Sequence, residues 1–141
     1  PNNDFLPEIG TLIAFEKDNS ADARWDTGVS RGTVVGTDFD PMLAKIISYA
    51  SNRTDAASKL AKALESAHIG GVKTNRDFLV NCLKSKEFID GDTTTDFIDR
   101  VNPDRKLVIP DGSIHQIHKR INQYLSIKKR NRLVSPLGHV F

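Results

Sequence analysis

Residues 39–48 read FDPMLAKIIS, an Asp-Pro-Met sequence followed by a hydrophobic run that contains a single lysine. Pro41 cannot donate a backbone hydrogen bond, so we expect it at the first residue of a strand, with Asp40 held in an extended conformation. The run from Met42 to Tyr49 is the clearest strand candidate in the first half of the chain. Asp40 at the mouth of this strand can point into a cleft as part of a site, or pair structurally with a nearby arginine. The local sequence leaves both interpretations open.

A helix is predicted directly after this strand, in 51-SNRTDAASKLAKALESAHIGG-71. Asn52 or Thr54 can cap its first turn, and the Gly70-Gly71 pair predicts its end. Apolar residues at helical spacing predict its buried face: Ala57, Leu60, Ala61 and Leu64.

Shorter elements surround this strand and helix. Strands are predicted at residues 11–16 and 24–29, with glycine-rich turns from residue 28 to residue 36. Helices are predicted at residues 74–88, 94–101 and 113–130. The second helix should bury Phe78, Leu79, Cys82 and Leu83, and the last is amphipathic and basic. Short strands followed by helices predict an α+β fold.

Length and composition place the chain among single-domain globular proteins, with 141 residues of which 38% are hydrophobic and 27% charged. No apolar run reaches transmembrane length, and Cys82 is the only cysteine. We therefore expect a cytoplasmic protein without a disulfide bond or a membrane partner. Because the sequence begins at Pro1 without a methionine, we also expect it to be a piece of a longer protein.

The charge is distributed unevenly along the chain. Residues 1–101 carry a net charge of −4, whereas residues 102–141 carry +6. This shift, together with the turn residues 110-PDG-112, predicts a boundary between a domain at 1–101 and a basic connector at 102–141. The connector lacks an aromatic stacking platform, so we do not expect it to bind nucleic acid.

Two motifs that would indicate a phosphate or metal site are incomplete. In 70-GGVKT-74 a valine separates the second glycine from the lysine, which excludes a Walker-type phosphate loop; a helix stop followed by a helix start explains these residues. His115 and His118 have a spacing that can hold a metal, but no third ligand lies at a recognisable interval. We predict no metal site.

The order of several short motifs carries a family resemblance. The chain runs through FLP at residues 5–7, RWDTGV at 24–29, FDPMLAK at 39–45, IGGVKTN at 69–75 and EFIDGD at 87–92. Taken together, residues 1–101 resemble the C-terminal lobe of biotin carboxylase, the ATP-grasp part of acetyl-CoA, propionyl-CoA and pyruvate carboxylases. The resemblance implies a small antiparallel sheet of short strands with packed helices, followed here by the amphipathic helix.

The resemblance also implies a function for the protein to which the chain belongs. In this family ATP and Mg activate bicarbonate, and the carboxyl group passes to biotin on a carrier domain. The parts that bind ATP and the metal lie in lobes upstream of this one, and so does the glutamate that acts as the base. We therefore expect a fragment of an acyl-CoA (acetyl- or propionyl-CoA) carboxylase that binds no cofactor and is inactive alone. Its expected partners are the upstream ATP-grasp lobes, the biotin carrier and carboxyltransferase domains, and a second copy in a possible homodimer.

A few site residues can be carried over from the family pattern. Asp40 matches an aspartate that faces the active site, where its role would be to orient guanidinium groups rather than to accept a proton. Arg24 matches an arginine at the subunit interface of bacterial dimers, and Thr95 and Asp96 align with a segment at the nucleotide edge. Lys45 is expected on the solvent side of its strand or paired with an acid.

A second hypothesis is a non-enzymatic interaction module that reuses this lobe. Its basic tail, from Lys128 to Arg132, would then contact a protein partner or nucleic acid. An R-x-N-A-E-D motif and ATP-grasp glycines in the parent sequence upstream of the chain would favour the carboxylase, and their absence would favour the module.

Overall fold

The computed structural model describes residues 5–18 and 22–106. In these ranges the chain forms short strands followed by helices, as predicted for an α+β fold. The elements are, in order, β1 (Gly10–Thr11), β2 (Ala14–Glu16), β3 (Ala23–Thr27), β4 (Val34–Val35), β5 (Ala44–Ser48), α1 (Arg53–Ser66), β6 (His68–Gly70), α2 (Arg76–Lys84), α3 (Lys86–Asp90) and α4 (Phe97–Val101). The helix predicted at 113–130 lies outside the described residues.

The strands are antiparallel, as the resemblance implies. In the described residues they form three two-stranded pairs, β1 with β4, β2 with β6 and β3 with β5. In the longest pair Trp25 lies opposite Ile46, and Thr27 lies opposite Ala44 at the end of the ladder. The prediction of a single strand at residues 11–16 is therefore wrong, because β1 and β2 are separate strands there. They are divided because the chain changes partner at Leu12 and Ile13, whose N–H groups bond the carbonyls of Thr33 and Gly70.

The core lies between α1 and α2. Helix α1 buries the predicted stripe of small and apolar residues, and α2 adds the fully buried Val80. The cluster consists of Ala57, Ala61, Leu64, Val80 and Leu83, with Ile46, Leu60, Phe88 and Ile89 packed against it. The prediction that Leu79 is buried is wrong, because its side chain borders an open groove and remains 36% exposed.

Two predicted helices end or break earlier than expected. Helix α1 is capped by Asn52, whose side chain accepts the Asp55 N–H, but it ends at Ser66 instead of Gly70. Residues 68–70 leave the helix because their backbone pairs with β2. The helix predicted at 74–88 is interrupted at Ser85, whose hydroxyl accepts the Phe88 N–H and donates to the Cys82 carbonyl. The Ser85 side chain therefore forms hydrogen bonds with the last turn of α2 and the first turn of α3, and it separates the two helices.

Helix α4 is shorter than the segment 94–101 that was predicted. It begins at Phe97, and the Phe97 N–H bonds the Thr94 carbonyl in the turn that precedes it. Beyond α4, the side-chain amide of Asn81 donates to the carbonyls of Asp104 and Lys106, at 2.7 and 3.0 Å. The chain therefore stays attached to α2 up to the end of the described residues.

Gly71 lies where two backbone segments cross closely. Its φ is +106°, and a Cβ built there would lie 2.0 Å from the carbonyl oxygen of Thr11. Only glycine fits such an approach. The interpretation of Gly70 and Gly71 as a helix stop is therefore wrong. Gly70 is the last residue of β6, and Gly71 allows the backbone to pass close to Thr11 in β1.

Candidate functional site

A groove of about 750 Å³ opens between the N-terminal segment, the loop before β5 and the start of α2. Four of the sequence motifs contribute to its walls: FLP, RWDTGV, FDPMLAK and IGGVKTN. The lining includes Phe5, Leu6, Pro7, Trp25, Asp40, Pro41, Met42, Lys73, Thr74, Asn75, Arg76 and Arg105. Motifs that are up to 70 residues apart in the chain, from Phe5 to Asn75, thus meet at one place.

Asp40 lies on the groove wall in a tight turn. Its Oδ1 accepts the N–H of Met42 at 2.8 Å, which is the local bond expected of an aspartate that starts a turn. Because β3 ends at Thr27, opposite Ala44, β5 begins only at Ala44, and the prediction that Pro41 is the first strand residue is wrong. Among the described residues the ion pairs do not include Asp40, so the structural pairing with an arginine is not seen there.

The hydroxyl of Thr27 joins this turn to the end of β3. Thr27 Oγ1 donates to the carbonyl of Leu43 at 2.9 Å and accepts the N–H of Val29 at 3.2 Å. Sequence reasoning missed this contact, because a threonine in a strand candidate indicates β propensity and nothing more. Its position opposite Ala44 becomes visible only in the register of the β3–β5 pair.

The cationic side chains around the groove have partners of their own. Arg76 donates to the Ala67 carbonyl at 2.9 Å and pairs with Asp77 at 2.7 Å. Lys73 Nζ lies 3.7 Å from a carboxylate oxygen of Glu8. The guanidinium of Arg105 lies 5.9 Å from the centre of the Phe5 ring. The groove therefore combines an apolar floor with charged groups that are held at its edges.

Arg24 is not among the residues that line the groove. It lies on the outer face of the β3–β5 pair, where its guanidinium bonds both carboxylate oxygens of Asp26, at 3.0 and 2.8 Å. This bond lowers the pKa of Asp26 and raises that of Arg24. Lys45 lies on the same face, 63% exposed and 3.8 Å from Asp26, which confirms its expected place.

Thr95 and Asp96 also lie apart from the groove, at the start of α4. Both are exposed. The hydroxyl of Thr94 donates to Asp96, which lowers the pKa of that carboxyl, and Arg100 Nε lies 3.7 Å away. The structure therefore brings together Asp40 and the neighbouring motifs, but not Arg24, Thr95 or Asp96.

Residues 5–18 and 22–106 contain no group of three His, Cys, Asp or Glu side chains that could hold a metal ion. None of the helices in these ranges is long and apolar enough to cross a membrane.

Comparison with known proteins gives a consistent result. A family model described as the biotin carboxylase C-terminal domain matches residues 1–100. The chain is 38% identical over 105 residues to the methylcrotonoyl-CoA carboxylase subunit alpha of Rattus norvegicus, covering 74% of this chain and 15% of that protein. It is 33% identical over 139 residues to pyruvate carboxylase 1 of Caenorhabditis elegans, covering 98% of this chain and 12% of that protein. That second alignment reaches into the residues that we expected to lie beyond the resemblance.

The fold matches solved structures of the same kind. The biotin carboxylase domain of Hydrogenobacter thermophilus 2-oxoglutarate carboxylase superposes with a TM-score of 0.72 at 29% identity, covering 77% of this chain and 24% of that one. The chain thus spans only a small part of the relatives that it matches. Since the family model covers residues 1–100, the chain belongs to the biotin carboxylase C-terminal domain family.

Proposed function

We propose that the groove is one wall of the site at which a biotin-dependent carboxylase carboxylates biotin. The observation that carries this proposal is the meeting of four motifs around the exposed Asp40. In the reaction implied by the family, bicarbonate is activated with ATP and Mg, and biotin on a carrier domain receives the carboxyl group. The resemblance implies that the groups which bind ATP and Mg lie upstream of this lobe. We therefore assign ATP and Mg to the upstream lobes of the parent protein.

Asp40 supports the site electrostatically. One carboxylate oxygen is engaged by the Met42 N–H, so the side chain is fixed while its charge stays at the groove surface. A carboxylate held in this way can accept charge-assisted hydrogen bonds from a guanidinium group and thereby orient it. We propose that the guanidinium comes from the upstream part of the parent protein.

We propose an acyl-CoA as the final acceptor of the carboxyl group. A methylcrotonoyl-CoA carboxylase subunit is 38% identical to this chain, which is compatible with this assignment, but a pyruvate carboxylase of Staphylococcus aureus is equally identical. Pyruvate is the second candidate, and it is favoured by the alignment with a pyruvate carboxylase over 98% of the chain. Labelled bicarbonate, supplied to the full-length protein with acetyl-CoA, propionyl-CoA, methylcrotonoyl-CoA or pyruvate in turn, identifies the acceptor by the product that carries the label.

The remaining assignments also belong to the parent protein. We propose Arg24 as an interface residue of a homodimer and Thr95 with Asp96 as a segment near the nucleotide. Residues 102–141 would connect the lobe to carrier and carboxyltransferase domains, in a cytoplasmic protein. Chemical cross-linking of the full-length protein and of its Arg24→Ala variant tests the dimer.

The test of the proposed function is carboxylation of free biotin by the full-length protein. Asp40→Asn keeps an oxygen for the Met42 N–H but removes the charge, and it should lower the rate at least about tenfold, as expected for loss of a charged hydrogen bond. Asp38→Asn is the matched control, because Asp38 lies in the same loop but does not line the groove. Equal rates for the two variants would return Asp40 to a structural role.

The same preparation separates the carboxylase from a non-enzymatic interaction module. A carboxylase hydrolyses ATP in a manner that depends on bicarbonate and biotin, whereas a module does not. The 141-residue chain alone should show no shift of its amide resonances on titration with ATP. Tight binding of ATP by this chain would contradict the assignment of the nucleotide to the upstream lobes.

A further inference from the structure

The turn that carries Asp40 is fixed at two successive residues. On one side the Asp40 carboxylate accepts the Met42 N–H at 2.8 Å. On the other side the carbonyl of the following residue, Leu43, accepts a hydrogen bond from the hydroxyl of Thr27 at 2.9 Å. The first bond is made within the turn, and the second ties the turn to a different strand.

Thr27 is suited to this task by its place in the β3–β5 pair. It is the last residue of β3 and lies opposite Ala44, the first residue of β5. Its hydroxyl donates a hydrogen bond to the Leu43 carbonyl and accepts one from the Val29 N–H at 3.2 Å. One oxygen therefore links the loop that follows β3 to the turn that precedes β5. Without this oxygen the turn would be held only at its β5 end and by its own internal bond.

We propose that Thr27 is a positioning residue for biotin carboxylation, acting through the Asp40 turn. The hydroxyl fixes the Leu43 carbonyl, which sets the backbone of Met42 and hence the direction of the Asp40 carboxylate that accepts the Met42 N–H. The inference rests on the proposed function of the groove. It assigns to the Thr27 hydroxyl no contact with substrate.

The test compares isosteric and conservative variants in the full-length protein. Thr27→Val keeps the side-chain shape and removes both hydrogen bonds, so kcat for biotin carboxylation should fall about three- to tenfold, the effect of one hydrogen bond, with KM for ATP unchanged. Thr27→Ser restores the hydroxyl and should return kcat to within about twofold of the wild type. Thr33→Val is the control, because the Thr33 hydroxyl accepts the Ser30 N–H at 3.0 Å in the neighbouring loop without contacting the turn.

A double-mutant cycle distinguishes positioning from general stabilisation. If Thr27 acts through Asp40, Thr27→Val should lower kcat no further in the Asp40→Asn background. Additive losses, or a wild-type kcat for Thr27→Val, would overturn the inference while leaving the proposed function intact. A fully active Asp40→Asn variant would instead overturn both.

A readout that does not depend on activity completes the test. In the 141-residue chain, the Met42 amide should exchange with solvent at least about threefold faster in Thr27→Val than in Thr33→Val, because the bond to Asp40 opens more often. Equal exchange in the two variants would show that the Thr27 hydroxyl does not hold the turn.

Discussion

The helical part of the lobe and the part that forms the groove are built differently. Between α1 and α2 the side chains of the core cluster are buried, with Val80 at 0% and Leu64 at 5% exposure. Around the groove, Phe5, Leu6 and Met42 are 48%, 64% and 64% exposed, although they are equally apolar. The helices therefore supply most of the buried surface, while the groove presents apolar surface that the described residues leave uncovered.

This difference has a simple physical origin. Two-stranded pairs of two to five residues are at most marginally stable in water, so they depend on what they pack against. Ile46 in β5 packs on the helical core, and the fully buried Leu12 anchors the N-terminal segment between β1 and β2. Stability should therefore respond strongly to changes in the helices, and activity to changes at the groove.

The largest effect on stability is expected at the helical core. Leu83→Ala removes a side chain that is only 8% exposed, and it should lower the free energy of unfolding by about 2–5 kcal/mol. Urea denaturation followed by circular dichroism measures the loss. Leu79→Ala on the same helix is the control, with a loss of under half that size because Leu79 is 36% exposed. Equal losses would mean that the groove side contributes as much to stability as the core.

The next effect concerns the backbone crossing of Gly71 and Thr11. Gly71→Ala places a methyl group against the Thr11 carbonyl at a φ of +106°, and should lower the free energy of unfolding by about 2–4 kcal/mol. Gly91→Ala is the matched control. Gly91 has a φ of +85° with nothing within 4 Å of the added Cβ, so the loss there should be about 1–2 kcal/mol. A Gly71 variant no less stable than the Gly91 variant would contradict the crossing.

A smaller effect is expected at the start of α1. Asn52→Ala removes the side-chain oxygen that accepts the Asp55 N–H at 2.8 Å, and should cost about 1 kcal/mol. A loss of this size lowers Tm by about 4–8 °C in a domain of about 100 residues, a shift that calorimetry detects. Thr54→Ala, at the other position from which a cap was predicted, should lower Tm by less. The opposite order would mean that Thr54 is the cap.

The smallest effect concerns the exposed ion pair on β3. The bond from Arg24 lowers the pKa of Asp26 in the folded state, so its stabilising contribution is present above the carboxyl's unfolded pKa of about 4 and is lost as pH falls through the folded value. The wild type should therefore exceed Asp26→Asn in urea midpoint at pH 7, by a small margin that shrinks as the pH falls below about 4. A margin that is independent of pH would show that the charge on Asp26 is irrelevant.

The local sequence pattern was enough to predict those elements that form because of residues close to each other in the chain. The apolar stripe of α1 and a cap at Asn52 or Thr54 follow from helical spacing and from side-chain chemistry; the stripe is confirmed, and the cap is Asn52. The α+β class and the antiparallel pairing also agree with expectation. The family, which was inferred from the order of the motifs, is confirmed by the match over residues 1–100.

The features that the sequence did not reveal depend on distant partners. Residues 68–70 look like the end of a helix until β2 is placed beside them. The strand at 11–16 divides because its two halves bond different neighbours. The strand after Asp40 was expected to begin at Pro41, but it begins at Ala44, where its partner β3 ends. The groove itself arises from the meeting of segments that no local pattern connects, and the contribution of Thr27 depends on strand register.

The most direct test measures stability and carboxylation on the same samples of the full-length protein. For Asp40→Asn the rate of biotin carboxylation should fall at least about tenfold, while the urea midpoint stays that of the wild type. For Leu83→Ala the midpoint should fall, while the folded fraction keeps its specific activity. An Asp40→Asn variant that keeps full activity, or that loses activity only in proportion to lost stability, would contradict the assignment of the groove to the carboxylation site.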